Sequence, residues 1–238
     1  MYSLSIVFPI FNEEIRLKKT LPILIKFLKK NKKKNIEIIF VNDGSFDSTH
    51  LIIKNFINLY SKSYNLKLIG YKKNMGKGYA IKTGILKARN DWTLICDIDF
   101  SVHPNQLLIW KKNGLITQNN VAYFGSREHK NSRIKTSKLR VALGYFFKKF
   151  IKLLFGIKLS DTQCGFKIFN KSYSKKIFKK ISSYRYTFDV EITLLLEKNG
   201  IEIQELPLKW SHKDGSKISL FKDIPIMIFD LIMIKIKN

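Results

Sequence analysis

Five short runs rich in β-branched and aromatic residues punctuate the first half of the chain: LSIVF (4–8), IEIIFV (36–41), LKLIGY (66–71), WTLIC (92–96) and VAYFG (121–125). Longer stretches with apolar residues at helical spacing separate them. Strand-length runs alternating with helix-length segments are the pattern of β-α-β crossovers, so the rhythm predicts an α/β fold: a mostly parallel, Rossmann-like sheet flanked by helices. EEIRLKKTLPILIKFLKK and DSTHLIIKNFINLY supply the first two helices, the second opened by Asp47 or Ser48 as N-cap. Open sheets of this kind bind ligands at the carboxyl ends of their strands, where loops and helix N-termini converge. Four polar segments stand at those ends: PIFNEE, NDGSFDST, KKNMGKG and DIDFS.

The chain has 238 residues, 45% of them hydrophobic, enough for one domain with a full core. Lys+Arg 44 against Asp+Glu 18 leaves a net charge of +26, which favours an anionic partner: nucleic acid, acidic lipid headgroups or a phosphorylated substrate. A nucleic-acid-binding protein is the reading from a different class. It would call for a recognition motif, and no RNP, helix-turn-helix or zinc pattern occurs, so nucleic acid is not the expected partner. Cys96 and Cys164 stand in no CxxC, which argues against a zinc site or disulfide framework and fits the reducing cytosol. The N-terminus lacks a basic segment before an apolar one, so no signal peptide is expected. No apolar stretch reaches the ~18 residues a spanning helix requires. IPIMIFDLIMIKIK (224–237), with Asp230 and two lysines, reads instead as an interfacial helix, as does the aromatic and lysine-rich stretch 139–158. Both suit the surface of an anionic membrane.

Asp97 and Asp99 of DIDFS follow an apolar run in an acid-poor chain. On an extended segment, period-two alternation would point both carboxylates the same way, and together they can hold one hard divalent cation whose other positions go to diphosphate oxygens and water. In VNDGSFDST, Gly44 permits a close backbone approach, while Asp43 offers acceptors to a base or ribose. NMGKGYAIKTG matches neither a Walker loop nor GxGxxG; its Lys77 is read as a minor phosphate or nucleotide contact. His50, His103, His129 and His212 show no metal spacing and are read as ordinary polar residues.

The segments PIFNEE, VNDGSFDST, NMGKG, DIDFS, GSR (125–127), DTQCGFK (161–167), FDVE (188–191) and WSHKDGSK (210–217) occur in the order found in family 2 glycosyltransferases of the GT-A fold. Over roughly residues 3–220 the chain resembles that family, and within it the polyprenyl-phosphate sugar transferases, the dolichyl-phosphate β-glucosyltransferases more than the mannose synthases. DTQCGFK and FDVE are the discriminating pieces. The resemblance implies one GT-A domain: a nucleotide-sugar-binding half (1–126), an acceptor-side half (127–220) and an amphipathic tail (221–238). It implies a nucleotide-sugar donor, a polyprenyl or dolichyl phosphate acceptor, and Mg²⁺ or Mn²⁺ on Asp97 and Asp99. Pro9, Asn12, Glu13 and Asp43 would line the nucleotide pocket. Arg127 and Arg140 fall where the family's basic residues meet the acceptor phosphate, and Ser216 and Lys217 fall on a loop closing over the donor. Gln163, with Asp161, would shape the sugar pocket; Asp189 and Glu191 would brace loops. Asn42 stands where the family usually has Asp, and Ser101 where mannose synthases often have a Gln metal ligand. The N-terminal hydrophobic anchor of the eukaryotic glucosyltransferases is missing, so attachment to the cytosolic face of a membrane is expected to be peripheral.

An anionic lipid phosphate needs no strong general base, so the expected reaction is inverting transfer of a hexose, glucose from UDP-glucose, to a β-linked lipid phosphate. Asp99, Arg127 and Arg140 would carry the chemistry, the arginines holding the incoming anion with a planar fork. The alternatives are a mannosyltransferase using GDP-mannose and a family 2 enzyme with a glycan hydroxyl acceptor; the latter requires a base, for which Asp161 or Asp189 are candidates.

Overall fold

A computed structural model describes residues 3–135, 138–213 and 220–237. Near-continuous apolar runs suit strands covered on both faces. The runs at 4–8, 36–41 and 92–96 become three such strands: β1 (Ser3–Ile10), β2 (Asn35–Asp43) and β4 (Trp92–Ile95), while β3 (Asn65–Tyr71) forms a half-buried edge. These four are parallel, in the spatial order β3-β2-β1-β4. Crossovers α1 (Glu14–Lys30), α2 (Thr49–Tyr60) and α3 (Lys77–Lys87) connect them. Asp47 caps α2 by accepting the Thr49 N–H at 3.0 Å, and it also accepts the Glu14 N–H at 3.2 Å, so one carboxylate ties two helix N-termini together. Ser48 holds the N-cap position without a side-chain bond.

The chain continues through α4 (Asn105–Lys112), β5 (Val121–Ser126), β6 (Arg133–Lys135), α5 (Lys138–Phe155), β7 (Lys167–Asn170), α6 (Lys171–Lys180), α7 (Phe188–Lys198), β8 (Glu202–Pro207), β9 (Lys209–Ser211) and α8 (Leu220–Lys237). The large sheet runs β3-β2-β1-β4-β7-β5-β8. β7 is antiparallel to both its neighbours, and β5 pairs with β8 in parallel. β6 and β9 make a separate parallel ribbon. The strand rhythm does not reveal β7 and β8: β7 spans four residues inside the DTQCGFKIFN segment, and β8 (EIQELP) carries too many polar residues to stand out.

Alternation sends side chains of β1 and β2 to opposite faces. Leu4, Ile6, Phe8, Ile38 and Phe40 pack under Leu17, Leu24 and Leu28 of α1 and Ile53 of α2. Val7, Ile39 and Val41 pack under Ala80, Ile81 and Ile85 of α3 and Ile192 of α7. Each such aliphatic side chain, fully buried, contributes about 1.5–3 kcal/mol. A third cluster joins Ile151 of α5, Ile157, Val190 of α7, and Leu231 and Ile234 of α8.

At the amino end of the sheet Glu37 is fully buried, yet it stays ionised because its partners supply what water would have given. It accepts from Ser5 Oγ at 2.5 Å and Arg89 N at 3.0 Å, and from the Lys67 ammonium. Burial pushes its pKa up, but Lys67 and these donors outweigh burial and hold it below the ordinary 4.5. A depressed carboxyl pKa adds stability above the ordinary value that is lost as pH falls through the depressed one. Glu37→Gln is expected to lower unfolding free energy at neutral pH by about 2 kcal/mol and to flatten the acid limb of the urea midpoint plotted against pH. An acid limb as steep in the variant as in the parent would refute this role.

Candidate active site

The strand order brings the carboxyl ends of β1, β2 and β4 side by side, and a cavity of about 470 Å³ opens there. Eight of the residues singled out in the sequence line it: Pro9, Glu13, Asp43, Lys77, Asp97, Asp99, Arg127 and Gln163. Arg140 lies on α5, but its side chain is outside the described residues, as are Ser216 and Lys217 altogether.

The acid pair reaches the cavity by a different route from the one expected. β4 ends at Ile95, so Asp97 and Asp99 lie on the turn beyond it and alternation does not align them. Phe100, at φ 52, donates its N–H to the Asp97 carbonyl at 3.2 Å and closes the turn. Asp99 Oδ1 accepts the Ser101 N–H at 2.8 Å. Asp97 Oδ1 stands 2.6 Å from Lys77 Nζ. Burial works against the Lys77 ammonium, but the carboxylates of Asp97, Asp189 and Asp99 more than offset it and raise its pKa. On the far side of Asp97 lies Gly165 of DTQCGFK: a Cβ there would stand 2.2 Å from Asp97 Oδ2, so a side chain at 165 would force that carboxylate to shift.

Two expected nucleotide contacts serve the loops. Asn12, at φ 51, does not line the cavity; its N–H donates to Ser45 Oγ at 2.9 Å and its Oδ1 accepts the Phe46 N–H at 3.0 Å, tying the end of β1 to the loop after β2. Asp43 faces the cavity with both oxygens occupied: Oδ1 accepts the Met75 N–H at 2.8 Å, and Oδ2 accepts the Gly76 N–H and Asn74 Nδ2 at 2.9 Å each. Burial, only partly offset by those donors, raises its pKa. Asn42 turns inward, accepting the Ser45 N–H at 3.0 Å.

The opposite wall is built on ion pairs. Arg127 makes a bidentate fork on Asp161, Nε to Oδ2 at 2.7 Å and Nη2 to Oδ1 at 2.8 Å, and its guanidinium lies 5.9 Å from the Trp210 ring centre. Burial would raise the Asp161 pKa, but the Arg127 hydrogen bonds and charge hold it below the carboxylate range. Glu205 accepts the N–H groups of Ser160 and Asp161 at 2.8 and 2.9 Å and so fixes the start of DTQCGFK. Asp189 pairs with buried Lys167 of β7, and Glu191 accepts the N–H groups of Ser182 and Ser183 and so holds the loop before α7. Gln163 reaches the cavity with its Nε2 buried and without a hydrogen-bond partner among the described residues. A buried unsatisfied amide costs about 1–3 kcal/mol, a penalty that a hydroxyl-bearing ligand would remove. Cys164 also lines the cavity; burial pushes its thiol up to about 12, so it is no thiolate nucleophile.

The cavity also recruits residues that sequence reasoning passed over: Arg16, paired with Glu13 at 2.8 Å, together with Arg185, Trp210 and His212. His212 stacks on Trp210 with ring centres 6.1 Å apart, and β9 carries both to the site through Ser211 N–H bonded to the Ser101 carbonyl at 3.0 Å. His212 was expected to be an ordinary polar residue; it lines the cavity. Its place in WSHKDGSK, two residues from a Trp, was the available signal. Among the described residues no group of three or more His, Cys, Asp or Glu side chains is arranged to hold a metal ion by itself.

Residues 5–178 match the family Glycosyl transferase family 2. Curated relatives span the whole chain: a dolichyl-phosphate beta-glucosyltransferase of Dictyostelium discoideum is 36% identical, covering 98% of this chain and 74% of the relative. The proteins of that name from Saccharomyces cerevisiae and Homo sapiens are 34% and 31% identical, covering 98% of this chain and 74% and 75% of the relatives. Among solved structures, glucosyl-3-phosphoglycerate synthase from Mycobacterium tuberculosis in complex with UDP superposes with a TM-score of 0.68 at 14% identity, over 99% of this chain and 79% of that one. The mannosyltransferase PcManGT from Pyrobaculum calidifontis, in complex with GDP-Man and Mn²⁺, does so with 0.60 at 14% identity, over 91% and 59%. The sheet order, the cavity at its carboxyl edge and these full-length likenesses agree: the chain belongs to glycosyltransferase family 2 and has the GT-A fold.

Proposed function

We propose that the chain transfers glucose from UDP-glucose to a polyprenyl phosphate of the dolichyl type, with inversion to the β-linked product. The observation that carries this reading is the meeting, in one cavity, of the acid pair with DTQCGFK: Gly165 seats Asp97, and beside it the Gln163 amide offers a donor to a sugar hydroxyl. The relatives that share the chain's full length are named for glucosyl transfer to dolichyl phosphate, which favours glucose over mannose. In the reaction the bond from sugar C1 to the diphosphate oxygen breaks as a lipid phosphate oxygen bonds to C1 from the opposite face. That oxygen is already anionic, so no side chain has to take a proton. A hydroxyl acceptor would need a base, and neither candidate is available: Asp161 is committed to Arg127 and Asp189 to Lys167, and neither lines the cavity.

Two carboxylates fit a hard cation of the Mg²⁺ or Mn²⁺ type, since such ions are held by one or two protein carboxylates while substrate phosphates and water complete the shell. Asp97 and Asp99 are the residues that would hold it, and when bound it stabilises charge on the departing diphosphate. Lys77, 2.6 Å from Asp97, holds that carboxylate in place, and Arg127, with Arg140, would contribute to binding the acceptor phosphate.

The apolar acceptor would be met at a membrane surface. Met227, Leu231 and Ile234 bury one stripe of α8, whereas Phe229 and Ile236, 63% and 73% exposed, and Leu153 of α5, 85% exposed, project apolar surface outward. Lys149, Lys152 and Lys235 are exposed on the same two helices, as docking on anionic headgroups requires. Among the described residues no helix is long and apolar enough to cross a membrane.

Incubation with labelled UDP-glucose and a short polyprenyl phosphate should place label in the organic extract, and label appearing only from GDP-mannose would sink the donor assignment. EDTA is expected to abolish transfer. Asp99→Ala should lower it roughly 10²–10³-fold with an unchanged thermal midpoint. Gly165→Ala, which drives a methyl into the Asp97 carboxylate, should lower kcat by a comparable factor while leaving far-UV circular dichroism intact; full activity would show that Asp97 can move freely. In flotation assays the protein should rise with anionic vesicles and stay down with neutral ones, and Phe229→Glu should reduce recovery.

A further inference from the structure

The cations lining the cavity are not equivalent. Arg16, Lys77 and Arg127 each hold a carboxylate within 2.6–2.8 Å, on Glu13, Asp97 and Asp161 respectively. Arg185 lines the same cavity and makes no ion pair among the described residues. Asp43 acts on it only through space, and the oxygens of that carboxylate are taken by Asn74, Met75 and Gly76. The other cavity cation without such a partner, Lys213, is a point charge at the end of a described segment, whereas Arg185 offers a planar fork.

The backbone beneath Arg185 is fixed. Ser182 and Ser183 donate their N–H groups to Glu191 at 2.9 and 2.6 Å, and the Tyr184 carbonyl accepts the Tyr79 N–H at 3.1 Å. Gly76, at φ 101, makes room for this loop: a Cβ there would meet the Tyr184 carbonyl oxygen at 2.3 Å and Arg185 Cγ at 3.2 Å. Arg185 is thus a charged side chain on a braced stalk, with donors that no group among the described residues pairs with. It also borders a second cavity of about 290 Å³, formed by residues 182–185 with Asp230, Met233 and Ile234 of α8, and it is the residue that the two cavities share. α8 is the helix whose other face carries the exposed apolar residues Phe229, Ile232 and Ile236.

We propose that Arg185 binds a phosphate group of a substrate at the junction of the two cavities, a role that neither Arg127, committed to Asp161, nor Lys77, committed to Asp97, is free to fill alone. The inference rests on the polyprenyl-phosphate reading above, and the junction beside α8 favours the acceptor phosphate over the donor diphosphate, since the acceptor's hydrocarbon can then leave toward the apolar helix. A bidentate arginine contact to phosphate is directional, so lysine replaces it only in part.

The test is calorimetric titration of the intact protein and of Arg185→Gln and Arg185→Lys with UDP and, separately, with farnesyl phosphate in detergent, alongside thermal unfolding. Arg185→Gln should weaken farnesyl phosphate binding about tenfold or more with UDP binding and the unfolding midpoint unchanged, and Arg185→Lys should fall between. The same loss confined to UDP would assign the contact to the donor diphosphate and keep the phosphate role. Binding of both ligands within about twofold of the parent, or a parent that binds neither, overturns it. Because binding is read without turnover, an Arg185 effect in a protein that transfers no glucose would leave this inference standing and remove the proposed function instead.

Discussion

The carboxylate of Asp97 is pressed between the ammonium of Lys77 and the bare backbone of Gly165, and the site depends on that contact. Three segments distant in the chain meet there: the turn after β4, the N-terminus of α3 and the DTQCGFK loop ahead of β7. Each is carried by a different element of the sheet, so the contact forms only when β7 inserts beside β4 in the antiparallel sense. A side chain at 165 would push the Asp97 carboxylate aside. The positive charge of Lys77 does the converse, drawing the α3 terminus toward the acids.

Acidic residues are scarce here, 18 against 44 basic, and many of the buried ones work on the protein's own backbone. Asp43 shapes residues 74–76, Glu191 shapes residues 182–183, the partly buried Glu205 holds the start of DTQCGFK, and Glu37 ties three strands and Arg89, between α3 and β4, at the opposite end of the sheet. A carboxylate taken out of water is stable only if donors surround it, and backbone N–H groups of irregular loops are donors that need acceptors. The two requirements answer each other. The loops around the cavity are therefore held by buried charge at points where no regular ladder can reach.

The basic wall follows the same logic with a different result. Arg127 is balanced by Asp161 and stacked over Trp210, which orders the ribbon of β6 and β9 against the cavity. Further along, Ile151 of α5 and Leu231 and Ile234 of α8 cluster with Val190 of α7, while Leu153, Phe229, Ile232 and Ile236 of the same two helices are exposed. Arg185, which makes no ion pair among the described residues, stands between the cavity and α8.

The sequence alone determined the parallel half of the sheet, because strands β1 to β4 and helices α1 to α3 are written in local periodicity and in the polar segments that end each strand. The family resemblance carried by motif order implied that Asp97, Asp99 and DTQCGFK lie together, and they line one cavity. What the sequence could not determine was which charged group faces the cavity and which is spent on a neighbour. Asn12 turns out to tie loops, Asp43 to brace residues 74–76 from the cavity wall, Asp161 to bind Arg127, and Arg185 and His212 to line the cavity. Nor could it reveal β7, four residues whose strand character comes from being sandwiched between β4 and β5. Those outcomes depend on contacts between residues tens of positions apart. Local pattern encodes the elements, whereas the pairing of buried charges is decided only when the elements pack and each group must find its partner out of water.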